Sequence, residues 1–258
     1  MSEPVLLEAR QGSVLILTLN RPGRRNALNP ELASRLRAAL EEGDDDPEVR
    51  VVVITASGSA FCSGMDLKAF AEGERPEPPD AENIYSLAAS KPLIAAVNGP
   101  AIAGGFELVL MCDIVVAARD AFFALPEVRR GLIAGGGGIF RLTRLAGPAR
   151  AIEMLLTGSP LSAEEAMSAG LVRQVVEARE VLPTAIGIAE RIVESAPLAV
   201  AETLAIAHQS HDLTEAELWR LSAAAWARVV EGAEAREGTA AFVERRPPSW
   251  PSLDPGKH

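Results

Sequence analysis

The chain has 258 residues, of which 48% are hydrophobic and 23% charged, a composition close to that of an average globular protein. A chain of this length buries enough surface to fold as one or two domains without disulfides or metal ions. Its formal net charge of −10 disfavours a dedicated nucleic-acid or anionic-membrane binder. We find no signal-peptide pattern and no run of roughly 20 apolar residues, so we expect a cytoplasmic protein without a membrane span.

Cysteine and histidine are too scarce to suggest a disulfide framework or a metal site. Cys62 and Cys112 are the only cysteines and are expected to be free thiols in a reducing compartment. The spacing of His208 and His211 would place both on one helix face, but no carboxylate or cysteine pattern completes a set of metal ligands. We therefore expect no bound metal.

The N-terminal part predicts a strand pair followed by a helix. Residues 4–20 indicate two strands separated at Gln11-Gly12. Asn29 is a candidate helix N-cap, and Pro30 suits the first helical position. We expect Gly43 and Asp44–Asp46 to close this helix.

The following residues continue the alternation of strands and helices. Residues 66–91 predict a helix, an acidic and Pro-rich loop over residues 72–80, and a second helix. Apolar or β-branched runs predict buried strands at Val49–Thr55, Leu93–Val97 and Ile114–Ala118. This alternation predicts a largely parallel sheet that is wrapped by helices.

Beyond Gly147 the composition shifts to Ala, Leu, Glu and Arg, which indicates a helical region. Capping boxes at residues 162–165 and 214–217 predict the beginnings of two helices, and Gly170 is expected to end the first. We find no strong chemical motif in this part, so we interpret it as a layer for packing or oligomerisation.

The segment Ile94–Asp113 carries the first candidate site. Its strand leads through small residues to Gly104 and Gly105, which let another group approach the backbone closely. The first amides of the helix that follows have no internal partner and favour an oxygen or a negative charge. Glu107 lies one turn later on the same face, so a bound oxygen would have a carboxylate beside it. The alternative is a tight strand–helix connection in which Glu107 interacts only with the helix dipole.

A second candidate segment, Ala60–Leu67, follows the strand Val49–Thr55 and places Gly64 before a predicted helix. Because the two candidate segments follow neighbouring strands, we expect their amides to converge on one oxygen, as in an oxyanion hole. Taken alone, the segment is also compatible with an ordinary strand–helix loop.

The third candidate segment, Phe122–Gly138, contains Glu127 directly after a proline in an apolar stretch. Desolvation there is expected to raise the pKa of the carboxyl and to suit it to proton transfer near neutral pH. The alternative is a solvated loop glutamate beside Arg129 and Arg130. The glycines at 135–138 lack the surrounding pattern of a phosphate-binding loop.

In this order and spacing, the three segments resemble the crotonase family of enoyl-CoA hydratases and isomerases. The resemblance covers nearly the whole chain, from Asn20–Gly23 and Asn26–Leu28 to Ala241–Arg245, and Ile94–Asp113 is its most specific part. It implies an α/β fold with a crotonase-like β-β-α spiral core and a helical C-terminal region.

The resemblance also implies how the chain is divided and assembled. Residues 1–195 would form the spiral core with the acyl-CoA site, and residues 196–258 would support homotrimers or homohexamers. Coenzyme A is part of the implied acyl-CoA substrate, so no separate cofactor is implied.

Roles for individual residues follow from the same resemblance. The backbone NH groups of Met65 and Gly104 would bind the thioester oxygen. Glu107 and Glu127 match the two hydratase glutamates, and Gly135 would help to hold the catalytic water. The resemblance places the adenine of coenzyme A near Ala27. Because coenzyme A is polyanionic, we expect the basic cluster Arg21, Arg24, Arg25 and Lys68 to contact it, unless these are ordinary surface side chains.

The implied reaction is reversible hydration of the 2,3 double bond of an enoyl-CoA through an enolate. Isomerases usually keep only the glutamate that matches Glu127, so the presence of both favours hydration. The alternatives are carnitinyl-CoA-type dehydration, to which Phe122–Glu127 is similar, isomerisation, thioester or C–C cleavage, and non-catalytic acyl-CoA binding. Departures from common hydratase residues, which leave the acyl-chain preference open, occur at Phe106, Ala134, Ile139 and Phe140.

Overall fold

The computed structural model describes residues 3–73 and 83–250, and its centre is a six-stranded sheet. In spatial order the strands are β1 (Leu6–Gln11), β2 (Val14–Leu19), β3 (Val51–Ala56), β4 (Leu93–Val97), β6 (Ile114–Ala118) and β9 (Gln174–Val176). Strands β1 and β2 pair antiparallel, and every other neighbouring pair is parallel. The predicted alternation and largely parallel sheet are confirmed.

A second, three-stranded sheet positions the candidate segments. It consists of β5 (Ala101–Ile102), β7 (Phe122–Ala124) and β8 (Leu161–Ser162). Parallel pairing of β5 with β7 places Ile102 opposite Ala124, so the chain leaves both strands in the same direction. An isolated bridge joins Cys62 to Ala101 and brings the second candidate segment alongside. The sequence patterns did not predict this small sheet.

Helices surround the sheets and form most of the C-terminal part. The α-helices of the described residues are α1 (Pro30–Asp45), α2 (Leu67–Ala71), α3 (Gly104–Leu110), α4 (Gly138–Ala146), α5 (Pro148–Thr157), α6 (Ala163–Ser168), α7 (Val181–Val193), α8 (Pro197–Gln209), α9 (Glu215–Val230) and α10 (Ala233–Glu244). Helix α7 packs against β3, β4 and β6. Both predicted capping boxes form, at the beginnings of α6 and α9. The division at residue 195 falls between α7 and α8, and its meaning as a domain boundary stays a prediction.

Helix α1 begins and ends at the predicted residues, with Asp46 as its C-terminal cap. The Asn29 side chain accepts a hydrogen bond from the Leu32 NH at 3.1 Å, and Pro30 occupies the first position. Gly43 lies inside the helix, which continues to Asp45. Glycine is required here by close packing, because a Cβ on residue Gly43 would lie 2.7 Å from a methyl group of Leu15.

The second helix predicted within residues 66–91 is wrong. Over the described residues 83–91 the chain forms a 3₁₀ turn, Ile84–Ser86, and no α-helix. The Asn83 side chain caps this turn by accepting a hydrogen bond from the Ser86 NH at 3.1 Å. Leu87 then adopts an extended conformation with ψ 124°, which ends the turn. Most of the predicted loop, residues 74–80, lies outside the described residues.

Two further expectations concern membranes and metals. In the described ranges, no helix is both long and apolar enough to cross a membrane. Across residues 3–73 and 83–250, no three His, Cys, Asp or Glu side chains gather as metal ligands would.

Candidate active site

A cavity of about 380 Å³ lies where the three candidate segments meet. Its lining comprises Arg25, Leu28, Ala33, Ser63, Met65, Leu67, Tyr85, Ile102, Ala103, Gly104, Glu107, Pro126, Glu127, Arg130, Leu132, Ile133 and Gly135. The wall is mostly apolar, with a few convergent polar groups, as is usual for small-molecule sites. All five predicted oxyanion-hole, catalytic and water-positioning residues line this one cavity.

Another cavity, of about 360 Å³, lies beside α8 and contains two cationic side chains that are already engaged. The Lys91 ammonium donates to the Gly43 and Asp46 carbonyls at 2.9 and 2.6 Å. Arg50 donates to the Ser195 carbonyl at 2.6 Å. Because backbone carbonyls satisfy both cations, we assign them a structural role.

Backbone packing brings the Met65 segment against Gly104. Gly64 has a φ of +82°, and a Cβ there would lie 2.9 Å from the Ile102 oxygen and 3.0 Å from the Gly104 nitrogen. Only glycine fits this approach without strain. A parallel bridge between Met65 and Leu28 holds the other side of the segment. The predicted convergence of the two segments is thus present in the fold.

The NH groups of Met65 and Gly104 form no hydrogen bond within the described part of the chain. Ala103, directly before α3, has an unusual positive φ of 53°. Its NH donates to the Ala124 carbonyl at 2.8 Å, which fixes the turn into α3. Backbone strain of this kind clusters at functional sites. The arrangement leaves two backbone donors available at the cavity wall.

Glu107 is buried, with 4% of its surface exposed, and one carboxylate oxygen is fixed. The Gly138 NH, at the beginning of α4, donates to its Oε1 at 2.9 Å. Burial raises the pKa of Glu107 to about 7, and the nearby Glu127 charge adds to this increase. The Gly138 amide and the Arg141 charge act in the opposite direction. Glu107 therefore changes ionisation near neutral pH, as an acid–base catalyst requires.

Glu127 begins a single 3₁₀ turn, Glu127–Arg130, that follows Pro126. Both of its carboxylate oxygens are buried without a hydrogen-bond partner among the described residues. Burial raises the pKa of this carboxyl as well, while its own backbone NH and, to a smaller extent, the Arg130 charge lower it. The predicted direction of the shift and its cause are confirmed. A buried carboxyl without a donor favours its protonated form.

Gly135 lies on the open side of the cavity, where an added Cβ would meet only the Ile133 oxygen at 4.0 Å. The neighbouring glycines are instead packed tightly. A Cβ on Gly136 would lie 2.5 Å from the Tyr85 ring, and one on Gly138 would lie 2.9 Å from the Glu107 Oε1. The glycine stretch thus serves close packing around Glu107 at two positions and leaves Gly135 facing space.

The residues expected to contact coenzyme A are not all at the cavity. Arg25 lines it, whereas Arg24 and Lys68 are exposed and absent from its lining, and Ala27 is buried. The basic cluster is also smaller than the sequence suggested. Arg21 forms an ion pair with Asp66 at 3.2 Å, so its charge is already compensated.

Two cavity-associated residues carried no sequence signal strong enough to single them out. The Tyr85 hydroxyl lies close to Gly104, because a Cβ on Gly104 would come within 2.4 Å of it. Arg141 donates to the Tyr85 and Gly136 carbonyls at 2.7 and 3.1 Å, and so links the two walls beside Glu107. The position of Arg141, one helical turn after Gly137, was the only available clue.

Comparisons with known proteins agree with this site. The family model for enoyl-CoA hydratase/isomerase matches residues 9–253. The chain is 40% identical over 265 residues to a carnitinyl-CoA dehydratase of Salmonella typhi, covering 97% of this chain and 99% of that protein. A crystal structure of an enoyl-CoA hydratase from Mycobacterium tuberculosis H37Rv is 41% identical, with a TM-score of 0.94, covering 97% of this chain and 100% of that one.

A crystal structure of a carnitinyl-CoA hydratase from Mycobacterium avium is similarly related, with 39% identity and a TM-score of 0.78. The match covers 96% of this chain and 99% of that one. These likenesses extend over the sheet, the cavity and the helical C-terminal region, and they confirm the predicted crotonase-like fold. The chain therefore belongs to the enoyl-CoA hydratase/isomerase family of enzymes, the crotonase family.

Proposed function

We propose that this enzyme is an enoyl-CoA hydratase, which reversibly adds water across the 2,3 double bond of an enoyl-CoA thioester. One observation carries the proposal. Two backbone NH groups without acceptors and two buried carboxyl groups line the same cavity. Hydration needs these two kinds of group together, because negative charge develops on the carbonyl oxygen while protons move at the neighbouring carbons.

The Met65 and Gly104 NH groups bind the thioester oxygen in this proposal. Attack of water at C3 moves the double-bond electrons towards the carbonyl and produces an enolate oxygen. Two fixed donors stabilise that charge, and removal of one such donor typically costs about 10²–10³ in rate. The proposed oxyanion hole therefore lowers the barrier for the first step.

Glu107 and Glu127 divide the proton transfers. The Gly138 NH holds one oxygen of Glu107, and in this proposal the carboxylate orients water and accepts its proton. Protonated Glu127 donates a proton to C2, which returns the enolate to the thioester. Glu107 gains one proton from water and Glu127 loses one to C2. Proton exchange with solvent then returns both carboxyls to their starting protonation states. Gly135 is proposed to hold the water through its NH.

Coenzyme A is the carrier portion of the substrate, and the proposed steps need no further cofactor. We place its adenine near Ala27 and its anionic groups near Arg25, with Arg24 and Lys68 as additional surface cations. Arg25 is supported most directly, because it lines the cavity. Weaker binding of all acyl-CoAs by an Arg25→Gln variant would support this placement.

We also propose a homotrimeric or homohexameric assembly and a cytoplasmic location. Large side chains remain exposed on the C-terminal helices, with exposed fractions of 68% for Trp219, 68% for Trp226 and 85% for Phe242. Such surfaces usually mark interfaces. Both cysteines are free, in agreement with a reducing compartment. Light scattering coupled to size-exclusion chromatography tests the assembly.

Dehydration of a carnitinyl-CoA-type substrate is the second candidate, and the relatives of that name favour it. Dehydration is the reverse of hydration, so the same pair of carboxyl groups could catalyse it with the proton transfers reversed. The cavity argues against a trimethylammonium group, however, because its described lining contains two arginines and no carboxylate beyond Glu107 and Glu127. Isomerisation is named in the description of the family, but the presence of both Glu107 and Glu127 favours hydration. Thioester or C–C cleavage and non-catalytic binding have no comparable support.

A panel of enoyl-CoA and 3-hydroxyacyl-CoA thioesters tests the proposal. We expect absorbance of the conjugated double bond to fall with enoyl substrates and to rise with hydroxyacyl substrates. Mass spectrometry should show the gain or loss of one water. Tight binding without a change in any thioester would contradict the proposed hydratase function.

A further inference from the structure

We propose that Arg130 selects an acyl group bearing a carboxylate, so that the preferred substrate is an enoyl-CoA with an anionic acyl end. The inference rests on the proposed hydratase function and adds the class of substrate. It begins with the turn that carries Glu127.

Local geometry aims Arg130 at the cavity. The four residues Glu127–Arg130 form one 3₁₀ turn. Side chains three residues apart eclipse each other in a 3₁₀ helix, so Arg130 shares a face with Glu127. Both side chains line the cavity. The Arg130 charge also lowers the pKa of the Glu127 carboxyl, which agrees with their proximity.

Arg130 differs from its neighbour in having its guanidinium available. Arg129 donates to the Thr157 carbonyl at 2.6 Å and is therefore tied to α5. Arg130 forms no side-chain hydrogen bond or ion pair with residues 3–73 or 83–250. It is an exposed cation at the wall of a mostly apolar cavity, where an incoming anion is its natural partner.

The position of Arg130 relative to the reaction centre points to the acyl end. Arg25 is tied instead to the segment of the proposed oxyanion hole, because its carbonyl accepts a hydrogen bond from the Ser63 NH at 3.0 Å, two residues before Met65. With the thioester oxygen at the proposed oxyanion hole, C2 and C3 lie at the glutamates. Carbons beyond C3 then continue towards the residues that follow Glu127.

The chemistry of this end matches a carboxylate attached to a short carbon chain. Leu132 and Ile133 line the same part of the wall and suit methylene groups. A guanidinium binds a carboxylate through two parallel hydrogen bonds, which gives both affinity and orientation. A trimethylammonium group would instead meet a like charge, which disfavours it.

Binding and turnover test the inference separately. Calorimetry compares two saturated ligands that lack the reacting double bond, adipoyl-CoA and hexanoyl-CoA. Turnover is measured with the corresponding trans-2-enoyl pair and with an enoyl-CoA carrying a trimethylammonium group. The variants are Arg130→Gln, Arg130→Lys and, as a matched charge control, Arg173→Gln, whose exposed side chain is not part of the cavity.

We expect the unaltered enzyme to bind adipoyl-CoA at least about tenfold more tightly than hexanoyl-CoA, as a charge-assisted hydrogen bond provides. Arg130→Gln should abolish this ratio, Arg130→Lys should keep part of it, and Arg173→Gln should keep all of it. The same ratios should appear in kcat/KM, mainly through KM. Effects of Arg130 on Glu127 cancel in these ratios because they act on both substrates.

Three results would overturn the inference. These are equal binding of both ligands, a preference for hexanoyl-CoA, and equal weakening of both by Arg130→Gln, which would indicate contact with coenzyme A. Preferential binding of adipoyl-CoA without hydration of any enoyl-CoA would uphold the Arg130 selection and refute the hydratase function. Hydration that favours the uncharged substrate would uphold the hydratase function and refute the Arg130 selection.

Discussion

The two carboxyl groups of the site sit in different surroundings. Glu107 projects from helix α3, and its Oε1 accepts a hydrogen bond from the Gly138 NH at 2.9 Å. Glu127 stands on a single 3₁₀ turn, and its buried oxygens have no donor among the described residues. The Arg141 charge lowers the pKa of Glu107, and the Arg130 charge lowers the pKa of Glu127.

This difference shows how one cavity can assign distinct roles to two chemically identical side chains. A hydrogen-bond donor stabilises the charged form and fixes the direction of the carboxylate, as a base that positions water requires. A carboxyl whose oxygens accept no fixed hydrogen bond can instead turn towards the substrate and exchange a proton with carbon. Burial raises the pKa of both carboxyls, so the proposed roles, Glu107 as the base and Glu127 as the acid, rest on this difference in hydrogen bonding.

Removal of either carboxyl should have the largest effect. We expect Glu107→Gln and Glu127→Gln each to lower kcat by roughly 10²–10⁴, because each removes a positioned acid–base group. Binding of a saturated acyl-CoA should change little, since glutamine has nearly the same shape. The exposed Glu153→Gln, on α5, is the control and should retain full turnover. Full activity in either site variant would end the two-carboxyl account.

The backbone donors of the proposed oxyanion hole provide the next test. Gly64→Ala would press a methyl group to within 3.0 Å of the Gly104 nitrogen, so we expect kcat to fall about 10²-fold. Gly12→Ala is the matched control, because Gly12 also has a positive φ (+57°) but has open space around it. It should cost about 1 kcal/mol of stability and leave turnover intact. Equal losses of turnover would show that strain, and not the oxyanion hole, matters.

A smaller effect should distinguish the two electrostatic environments. Arg141→Gln removes a positive charge that lowers the pKa of Glu107, so that pKa should rise above about 7. Since the base must be ionised, the rising limb of the kcat/KM profile should move to higher pH, with a several-fold loss at pH 7. Arg141→Lys keeps the charge and should keep the limb nearly in place. Arg144→Gln, on the same helix, should not move it.

The smallest expected effect is on stability. The Glu107 pKa is raised from 4.5 to about 7 on folding, so the folded state gains a proton in that range. Stability from this carboxyl is full below its unfolded pKa and is lost as pH rises through about 7. We therefore expect Glu107→Gln to be more stable than the unaltered protein at pH 8, by at most about 3 kcal/mol, and less so at pH 5. Denaturant unfolding of both proteins at pH 5 and pH 8 measures the difference in their free energies of unfolding. The same difference at both pH values would contradict this prediction.

Much of this comparison was accessible from local sequence patterns. Asn29 and Pro30 predicted the beginning of α1, and the apolar surroundings of Pro126 predicted the raised pKa of Glu127. These features depend on neighbours within a few residues or on burial of a whole segment. Local chemistry therefore identified both carboxyls and the direction of one pKa shift.

Features that depend on distant contacts were missed. The Gly138 NH meets Glu107 across 31 residues, and Arg141 meets the Tyr85 carbonyl across 56. Arg21 was counted among the free cations because its partner Asp66 lies 45 residues away. No periodicity or spacing encodes such pairings, since they arise only when the strands assemble.

The central claim, that Glu127 delivers the proton to C2 while Glu107 acts on water, is tested most directly by proton exchange. A saturated thioester such as hexanoyl-CoA is incubated in D₂O, and deuterium incorporation at C2 is followed by NMR. This exchange requires the oxyanion hole and the group that serves C2, but no attack by water at C3. We predict that Glu107→Gln retains most of the exchange and that Glu127→Gln loses it. Loss of exchange in Glu107→Gln with retention in Glu127→Gln would contradict the assignment.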